Sequence, residues 1–368
     1  MRIALFFWSL ELGGVEHMMV ELSRELALRG HDVTLVLARA PQPREYNPDP
    51  SVTIVRLNAA STAKTILRLA NHLRTARYDV LYTAMPTTNV ATIAALRLSG
   101  AKTRLVISER SNPALEAQHS KTWRYRAAFA LQPLVYPLAH AIVAVCRDLA
   151  DDLAKFARIP RETIRVIYNP AFDDRVSRSS EESTHPWLDS KDKPVVVAAG
   201  RLVVQKDWPT LLRAFALLQH HRPARLIILG DGPLRTELER LIWGLGLSND
   251  VALLGFVPEI APYLAKADVF ALTSIWEGFG NVLVQALGAG CSIVSTDCRN
   301  GPREILADGE FGALVPVGDH ASLAAAIRDV IDRPFVRARQ MGRASMFSVQ
   351  KSADAYEALF GDLLTQAS

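Results

Sequence analysis

The chain has 368 residues, of which 49% are hydrophobic and 22% charged, and its formal net charge at pH 7 is +4. This length suits two or three domains, and the composition is that of a globular protein, which excludes a disordered or fibrous chain. Charged residues, or in residues 127–146 a glutamine, two prolines and a histidine, interrupt every apolar run before the roughly 18 residues that a membrane span needs, and the start MRIALFFWSL lacks the pattern of a signal peptide. We therefore expect a cytoplasmic protein, and three scattered cysteines without disulfide or zinc-ligand spacing favour the same reducing compartment.

The charge is unevenly distributed along the chain. Residues 1–180 carry 24 Lys and Arg against 16 Asp and Glu, whereas residues 181–368 carry 18 against 22. The first half is therefore the one expected to meet an anionic partner. Nucleic acid is a poor candidate, because the aromatic residues do not alternate with basic ones as a base-stacking surface requires.

Short aliphatic runs alternate with amphipathic stretches along the chain, the pattern of parallel sheets with crossover helices. The first predicted strands are IALFFW, DVTLVLA, VTIVRL, DVLYT, RLVIS and AIVAV. A polar stretch from Asn169 to Pro194 then indicates a linker. A second series of predicted strands follows, with PVVVAAG, ARLIILG, DVALLG, DVFALT and CSIVST. We predict an α/β fold of two doubly wound domains that face each other across a cleft, with ligands at the carboxyl ends of the strands.

Two glycines follow the first predicted strand, in WSLELGGVEHMM. Gly13 and Gly14 let backbone amides approach a ligand at the start of the next helix, where the helix dipole favours a phosphate. A tight turn that merely needs glycine is the alternative, and both interpretations remain open. The spacing matches neither the dinucleotide fingerprint nor a P-loop, which disfavours a nicotinamide or a Walker-type site.

The strand RLVIS is followed by polar residues that include Glu109, Arg110 and His119. One of them could orient an acceptor hydroxyl, whereas solvated loop charges are the alternative. Residues 121–126, KTWRYR, form a basic and aromatic entry to the apolar stretch AAFALQPLVYPLA. Such a segment suits a surface that faces anionic lipid or a polyprenyl-diphosphate acceptor, and an ordinary amphipathic helix is the alternative.

In the second series, PVVVAAGRLVVQKD places Arg201 directly after a strand and Lys206 five residues later. A guanidinium fork and a compact ammonium together suit a diphosphate, whereas two solvated loop cations are the alternative. Farther along, LGDGP places Gly230 beside an aspartate, but by itself this run is a weak signal that fits a strand-to-helix turn.

The stretch EGFGNVLVQALGAG begins with Glu277 and then starts a helix near Gly280. Unpaired amides at a helix start attract phosphate. A carboxylate beside them would repel phosphate but would bind sugar hydroxyls. The pairing therefore implies a ligand that has both a phosphate and a sugar. Gln285 lies two turns into this apolar helix and needs a polar partner there. A polar group satisfied at a domain interface is the alternative.

Several runs together resemble the retaining GT-B glycosyltransferases of family 4, over nearly the whole chain. They are GGVEHMMVELSRELALRGHDV, VIYNP, GRLVVQKD, GDGP, EGFGNVLVQALGAG and NGPREILADGEFGALVPVGDHASLAAAI. The resemblance implies an acceptor-binding domain over residues 1–170, a linker over 171–193 and a nucleotide-sugar domain over 194–348. It also implies that residues 349–368 form a helix that returns to the first domain.

The resemblance also implies roles for particular residues. Arg201 and Lys206 would bind the donor diphosphate and Glu277 the donor sugar, and these three are the expected catalytic residues. Where relatives have a second glutamate for the ribose, this chain has Gln285, which would weaken that contact without abolishing it. Glu109, Arg110 and His119 are the expected acceptor-side residues. The residues expected to bind the donor are Gly13, Gly14, Arg201, Lys206, Gly230, Phe256, Glu277, Gly278, Phe279, Gly280, Asn281, Val282 and Gln285.

The sequence thus predicts a retaining transferase that moves a sugar from a UDP-N-acetylhexosamine or UDP-hexose to a lipid-linked or oligosaccharide acceptor of a bacterial surface glycan. No D-x-D pair and no metal-ligand cluster occurs, so we expect no metal and no cofactor. The basic first half predicts peripheral contact with the cytoplasmic face of an anionic membrane. Two alternatives remain, a GT-B nucleotide-sugar epimerase and a non-catalytic donor-binding subunit.

Overall fold

The computed structural model describes residues 1–11, 13–43, 45–119, 122–173, 185–190 and 192–366, without the side chain of His119. Two compact units divide the chain, with residues 1–170 and 349–368 in the first and residues 171–348 in the second. Lys121 and much of the predicted linker 171–193 lie outside the described residues.

The first unit is built on a parallel sheet of seven strands in the order β3-β2-β1-β4-β5-β6-β7. The six strands predicted for this part of the chain are present. The additional strand, β7, has three residues at the sheet edge and gave no periodic signal. The strands are β1 (Arg2–Phe7), β2 (Asp32–Leu37), β3 (Thr53–Arg56), β4 (Val80–Ala84), β5 (Arg104–Glu109), β6 (Ala141–Ala144) and β7 (Ile164–Val166).

Helices connect these strands and cover the sheet. Because both faces are covered, the central strands are buried along nearly their whole length, and β4 is buried at every position. The helices are α1 (Gly14–Leu28), α2 (Thr62–Ala76), α3 (Pro86–Ser99), α4 (Pro113–His119), α5 (Trp123–Val135) and α6 (Arg147–Ala157).

The second unit is built on a parallel sheet of six strands in the order β10-β9-β8-β11-β12-β13. The strands are β8 (Val195–Ala199), β9 (Arg225–Leu229), β10 (Val251–Gly255), β11 (Val269–Leu272), β12 (Ser292–Thr296) and β13 (Ala313–Val315). The five predicted strands are present, whereas the short edge strand β13 was not predicted. Two parallel, doubly wound sheets confirm the predicted fold class.

The helices of the second unit begin inside the predicted linker, where Pro186–Ser190 forms a short helix with Leu188 buried. The backbone N–H of Trp187 donates to His185 Nδ1 at its start. The helices are α7 (Pro186–Ser190), α8 (Trp208–Gln219), α9 (Arg235–Gly244), α10 (Ala261–Lys266), α11 (Asn281–Gly288), α12 (Pro302–Ile305), α13 (His320–Asp332) and α14 (Arg337–Ala344).

The last helix, α15 (Val349–Thr365), belongs to the first unit. Its buried side includes Tyr356 and Phe360, which join the core formed by β1, β2, β4 and α1. The Tyr356 hydroxyl lies 2.9 Å from the hydroxyl of Tyr82 on β4. On the surface, Arg29 donates to Asp354 and Glu357, so an ion-pair cluster fixes the helix beside α1. The predicted return of the final helix is therefore confirmed.

Candidate functional site

The sheet of the second unit reverses its strand order between β8 and β11. Open α/β sheets bind ligands beyond the carboxyl ends of the strands at such a switch point. Arg201 and Lys206 follow β8, and Glu277 follows β11. The sheet thus brings three predicted catalytic residues to its two central strand ends.

Lys206 and Glu277 form an ion pair through Nζ and Oε1. The Ser274 hydroxyl donates to the same carboxylate oxygen at 2.6 Å. Only 15% of the Lys206 side chain and 9% of the Glu277 side chain are exposed, so the pair is largely shielded from water. Lys206 is therefore not a solvated loop cation.

The loops after β8 and β11 hold each other in place. Thr273 donates from Oγ1 to the backbone carbonyl of Lys206 at 2.8 Å. The backbone carbonyl of Gln205 accepts from the backbone N–H of Ile275 at 2.8 Å. The side chain of Gln205 donates from Nε2 to the Trp276 carbonyl, also at 2.8 Å. These bonds fix the backbone on both sides of the Lys206–Glu277 pair.

The thiol of Cys298 lies close to the pair. Burial raises its pKa to about 12, and the charge of Glu277 adds to the rise while Lys206 opposes it. The thiol therefore stays protonated at neutral pH and is a poor nucleophile.

Two glycines allow the loops of this region to pack backbone against backbone. A Cβ on Gly230 would stand 1.9 Å from the carbonyl oxygen of Gly200, and Gly230 has a φ of +148°. A Cβ on Gly301, whose φ is +109°, would stand 1.7 Å from the carbonyl oxygen of Phe279. Gly230 is thus required for the contact between the loops after β8 and β9.

Arg201 differs from Lys206 in being exposed. Its carbonyl accepts from Trp208 Nε1 at 3.0 Å, which anchors the backbone. Within the described residues, its guanidinium makes no hydrogen bond or ion pair, so it is available to an anion. Phe256, which follows β10, is also exposed, at 51%.

The helix α11 begins at Asn281, directly after Gly280, whose φ of +97° suits glycine. The first N–H groups of a helix have no partner within it, and those of Asn281 and Val282 lie at this end. Phe279 is 2% exposed and packs against Phe347 with ring centroids 5.6 Å apart, so the side chain is part of the core. Gly278 is half-buried beside it.

Gln285 is half-buried on α11. Its backbone carbonyl accepts from Ala289 N at 2.9 Å. In the part of the chain that the structure describes, its side-chain amide makes no hydrogen bond. The amide is therefore free to pair with a ligand group.

The first unit holds the other predicted residues. Gly13 precedes α1 in extended conformation, and α1 starts at Gly14 after the carboxyl end of β1. Arg110, after β5, is 9% exposed and donates to Asn169 Oδ1 at 2.6 Å and to the hydroxyl of Tyr82. Arg110 is thus held in the interior of the unit, near the methionines of α1.

Glu109 ends β5 and is completely buried, so the alternative of a solvated loop residue is wrong. Its Oε2 accepts from the Tyr136 hydroxyl at 2.6 Å and from Gln132 Nε2 at 3.1 Å. Asn89 donates to the same hydroxyl at 3.1 Å. Burial raises the pKa of Glu109 to about 8, and the bond from Tyr136 opposes that rise only in part. The carboxyl group is therefore largely protonated at neutral pH.

Sequence reasoning missed the partners that position these groups. Ser274 lies three residues before Glu277, a spacing that often brings a hydroxyl to a carboxylate, and this was the one local signal available. Gln132 and Tyr136 lie more than twenty residues from Glu109, and only the fold brings them together.

Among the residues that the structure describes, no group of three or more His, Cys, Asp or Glu side chains is placed to hold a metal ion. No helix there has the length and apolar character that crossing a bilayer requires.

Comparison with known families divides the chain in two. Residues 12–175 match the model described as "Glycosyltransferase Family 4", and residues 179–345 match "Glycosyl transferases group 1". A curated relative from Campylobacter jejuni is 29% identical over 98% of this chain and 100% of its own length. It is described as an N-acetylgalactosamine-N,N'-diacetylbacillosaminyl-diphospho-undecaprenol 4-alpha-N-acetylgalactosaminyltransferase.

Solved structures share the fold. Sucrose-phosphate synthase from Thermosynechococcus elongatus superposes with a TM-score of 0.82 at 19% identity, covering 100% of this chain and 99% of that one. Anabaena HepE in complex with UDP-glucose gives a TM-score of 0.77 at 22% identity, over 98% of this chain and 99% of its own. The chain therefore has the GT-B fold.

Proposed function

We propose that this chain, which belongs to the GT-B glycosyltransferases, moves a sugar from a UDP-N-acetylhexosamine or UDP-hexose to a lipid-linked or oligosaccharide acceptor. The reaction retains anomeric configuration, requires no metal, and serves the assembly of a bacterial surface glycan. The Campylobacter relative supports the lipid-linked acceptor, because its name describes a diphospho-undecaprenol substrate.

The observation that carries the proposal is the Lys206–Glu277 pair at the switch point, with the exposed Arg201 on the same loop. A nucleotide sugar joins an anionic diphosphate to a neutral sugar rich in hydroxyl groups. Cations suit the first part, and a carboxylate suits the second.

Each group then has a task in the transfer. Arg201, Lys206 and the first N–H groups of α11 neutralise the charge that grows on the departing diphosphate. Glu277 holds the sugar hydroxyls, and Gln285 holds the ribose. The bond between the anomeric carbon and the diphosphate oxygen breaks as the acceptor oxygen approaches from the same face. The acceptor proton passes to the departing phosphate oxygen, so no protein nucleophile takes part.

On the acceptor side, we propose that Arg110 and Glu109 support, from the interior of the first unit, the loop after β5 that receives the hydroxyl group. A protonated Glu109 adds no negative charge beside a diphosphate-linked acceptor, and Arg110 adds a positive one. Gly13 and Gly14 let the backbone at the start of α1 approach the ligand closely. Direct contact of His119 with the acceptor stays a prediction from sequence alone.

The test is a thermal-shift screen of UDP, GDP and ADP sugars, in which UDP-glucose and UDP-N-acetylhexosamines are the key members. A ligand that binds only the folded state at 100 times its Kd stabilises it by about 2.7 kcal/mol. We expect a rise in Tm with a UDP sugar, unchanged by EDTA. Arg201→Ala should abolish the rise, whereas Arg213→Ala, an exposed arginine on α8, should keep it.

Three results would reject the proposal. They are no shift with any nucleotide sugar, a shift that Arg201→Ala leaves intact, or a turnover that chelation removes. Assay of the same donor with a polyprenyl-diphosphate sugar then separates transfer from epimerisation and from binding without reaction.

A further inference from the structure

One helix of the first unit leaves an apolar side exposed. On α5, the residues that pack inward are Ala128, Phe129 and Gln132, all buried, and Phe129 meets Phe156 at 6.1 Å between ring centroids. At 100° per residue, the opposite side collects a different set. We define the α5 outer face as Trp123, Leu131, Leu134 and, on the turn that follows, Leu138.

The side chains of the α5 outer face are apolar but exposed to solvent. Trp123 is 74% and Leu134 72% exposed, and Leu131 and Leu138 are 40% and 41% exposed. Single exposed apolar residues need no explanation, but three that share one side of α5, with a fourth on the turn that follows, place an apolar stripe along that side. A tryptophan at one end is typical of a surface that sits at the boundary between water and lipid.

Positive charge borders this stripe. Arg124 and Arg126 are exposed and lie on its two sides at the start of α5. Residues 117–147 contain no Asp or Glu, although they contain four Lys and Arg. A second copy of the chain would offer the same arginines to this face and no acidic group from this segment. An anionic bilayer offers both hydrocarbon and negative charge.

We propose that the α5 outer face docks the protein on an anionic lipid bilayer, with the leucines and Trp123 inserted among the lipids and the two arginines against the headgroups. The proposal rests on the proposed function and deepens it, because a lipid-linked acceptor is presented at a bilayer surface. The docking itself requires neither donor nor acceptor, so vesicles alone can test it.

The experiment measures binding of the full chain to vesicles by flotation. One set is phosphatidylcholine alone, and the other contains 30% phosphatidylglycerol. We expect binding to the anionic set that weakens with salt. Leu134→Asn should lower the affinity about tenfold, because it removes an exposed apolar side chain that the proposed docking would bury in the bilayer. Replacing both Arg124 and Arg126 by Gln should lower it on the order of fivefold per arginine, for the anionic set only.

The matched control is Leu67→Asn. Leu67 is 64% exposed on α2, so it resembles Leu134 in chemistry and exposure but lies outside the α5 outer face. It should bind vesicles like the wild type. Both leucines are exposed, so we expect unchanged Tm values for the two variants.

The proposal fails if the wild type floats with neither vesicle set, or if Leu67→Asn loses as much affinity as Leu134→Asn. It also fails if the wild type is a dimer that Leu134→Asn dissociates and the wild type does not bind vesicles. Transfer measured in detergent with a short-chain acceptor reports on the proposed function separately. Leu134→Asn should keep that activity, whereas loss of transfer in the wild type with docking intact would reject the function alone.

Discussion

Replacing Lys206 by Met should destabilise the protein more than the loss of one surface charge would. The substitution leaves the carboxylate of Glu277 almost buried, and Ser274 at 2.6 Å is then its one side-chain donor among the described residues. Breaking a buried pair from one side costs roughly 3–5 kcal/mol. The hydrogen bond from Ser274 keeps the expected loss near the lower limit, about 3 kcal/mol, or on the order of 6–12 °C in Tm for a unit of this size.

The double variant Lys206→Met/Glu277→Gln removes both charges and should recover most of that loss. Lys266→Met is the control, because Lys266 pairs with Asp189 at 2.7 Å in the same unit but on its surface, and it should cost at most about 1 kcal/mol. Calorimetry of the ligand-free proteins gives the four Tm values. Equal losses for Lys206→Met and Lys266→Met, or a double variant as unstable as the single one, would refute the reasoning.

The same variants separate stability from catalysis. We expect the double variant to stay inactive although its fold is restored, because both groups act on the donor. Glu277→Ala alone should lower kcat by about 10²–10³ if its contact strengthens in the transition state. A near-normal kcat at saturating donor would remove that role from Glu277.

Three further outcomes are expected. Gln285→Glu should lower the donor KM, since a carboxylate accepts from both ribose hydroxyls, and an unchanged or higher KM in initial-rate assays would contradict the contact. For Glu109, burial raises the pKa in the folded state to about 8 from its ordinary value of 4.5, so the free energy of unfolding is highest below pH 4.5 and decreases as the pH rises to about 8. The wild type should lose on the order of 3–5 kcal/mol of stability across that interval, and Glu109→Gln, which cannot ionise, should not show this loss. Parallel curves of Tm against pH for the two proteins would contradict the shift. Gly301→Ala should lower Tm by about 5 °C or more, because the added Cβ would overlap a carbonyl oxygen 1.7 Å away. Gly309→Ala is the control, since Gly309 has a φ of +99° but open space around it, and it should lower Tm less. Equal losses of Tm would rule out the overlap as the cause.

Much of the fold could be predicted because the central strands of a parallel sheet have a clear sequence pattern. DVLYT and PVVVAAG are short aliphatic runs bounded by polar residues, and both became buried strands at the middle of their sheets. The strands β7 and β13 were not predicted, because three residues at a sheet edge carry almost no periodic signal. The helix α7 was not predicted, because it lies in a polar, proline-rich stretch.

The site could be predicted only as a set of loop ends. Local spacing indicated Arg201 and Lys206 on one loop and Glu277 on another, but not that Lys206 and Glu277 pair across 71 residues. The burial of Glu109 was also beyond the sequence, because its partners come from helices elsewhere in the unit. Such contacts depend on tertiary packing, which no local pattern specifies.

The place of α15 in the first unit makes that unit discontinuous in the chain. During synthesis, residues 1–170 emerge first but lack Tyr356 and Phe360, whereas residues 171–348 are complete before the last helix leaves the ribosome. The middle of the chain can therefore mature ahead of its beginning. A nascent first unit with an open core beside α1 would need protection until its final segment arrives.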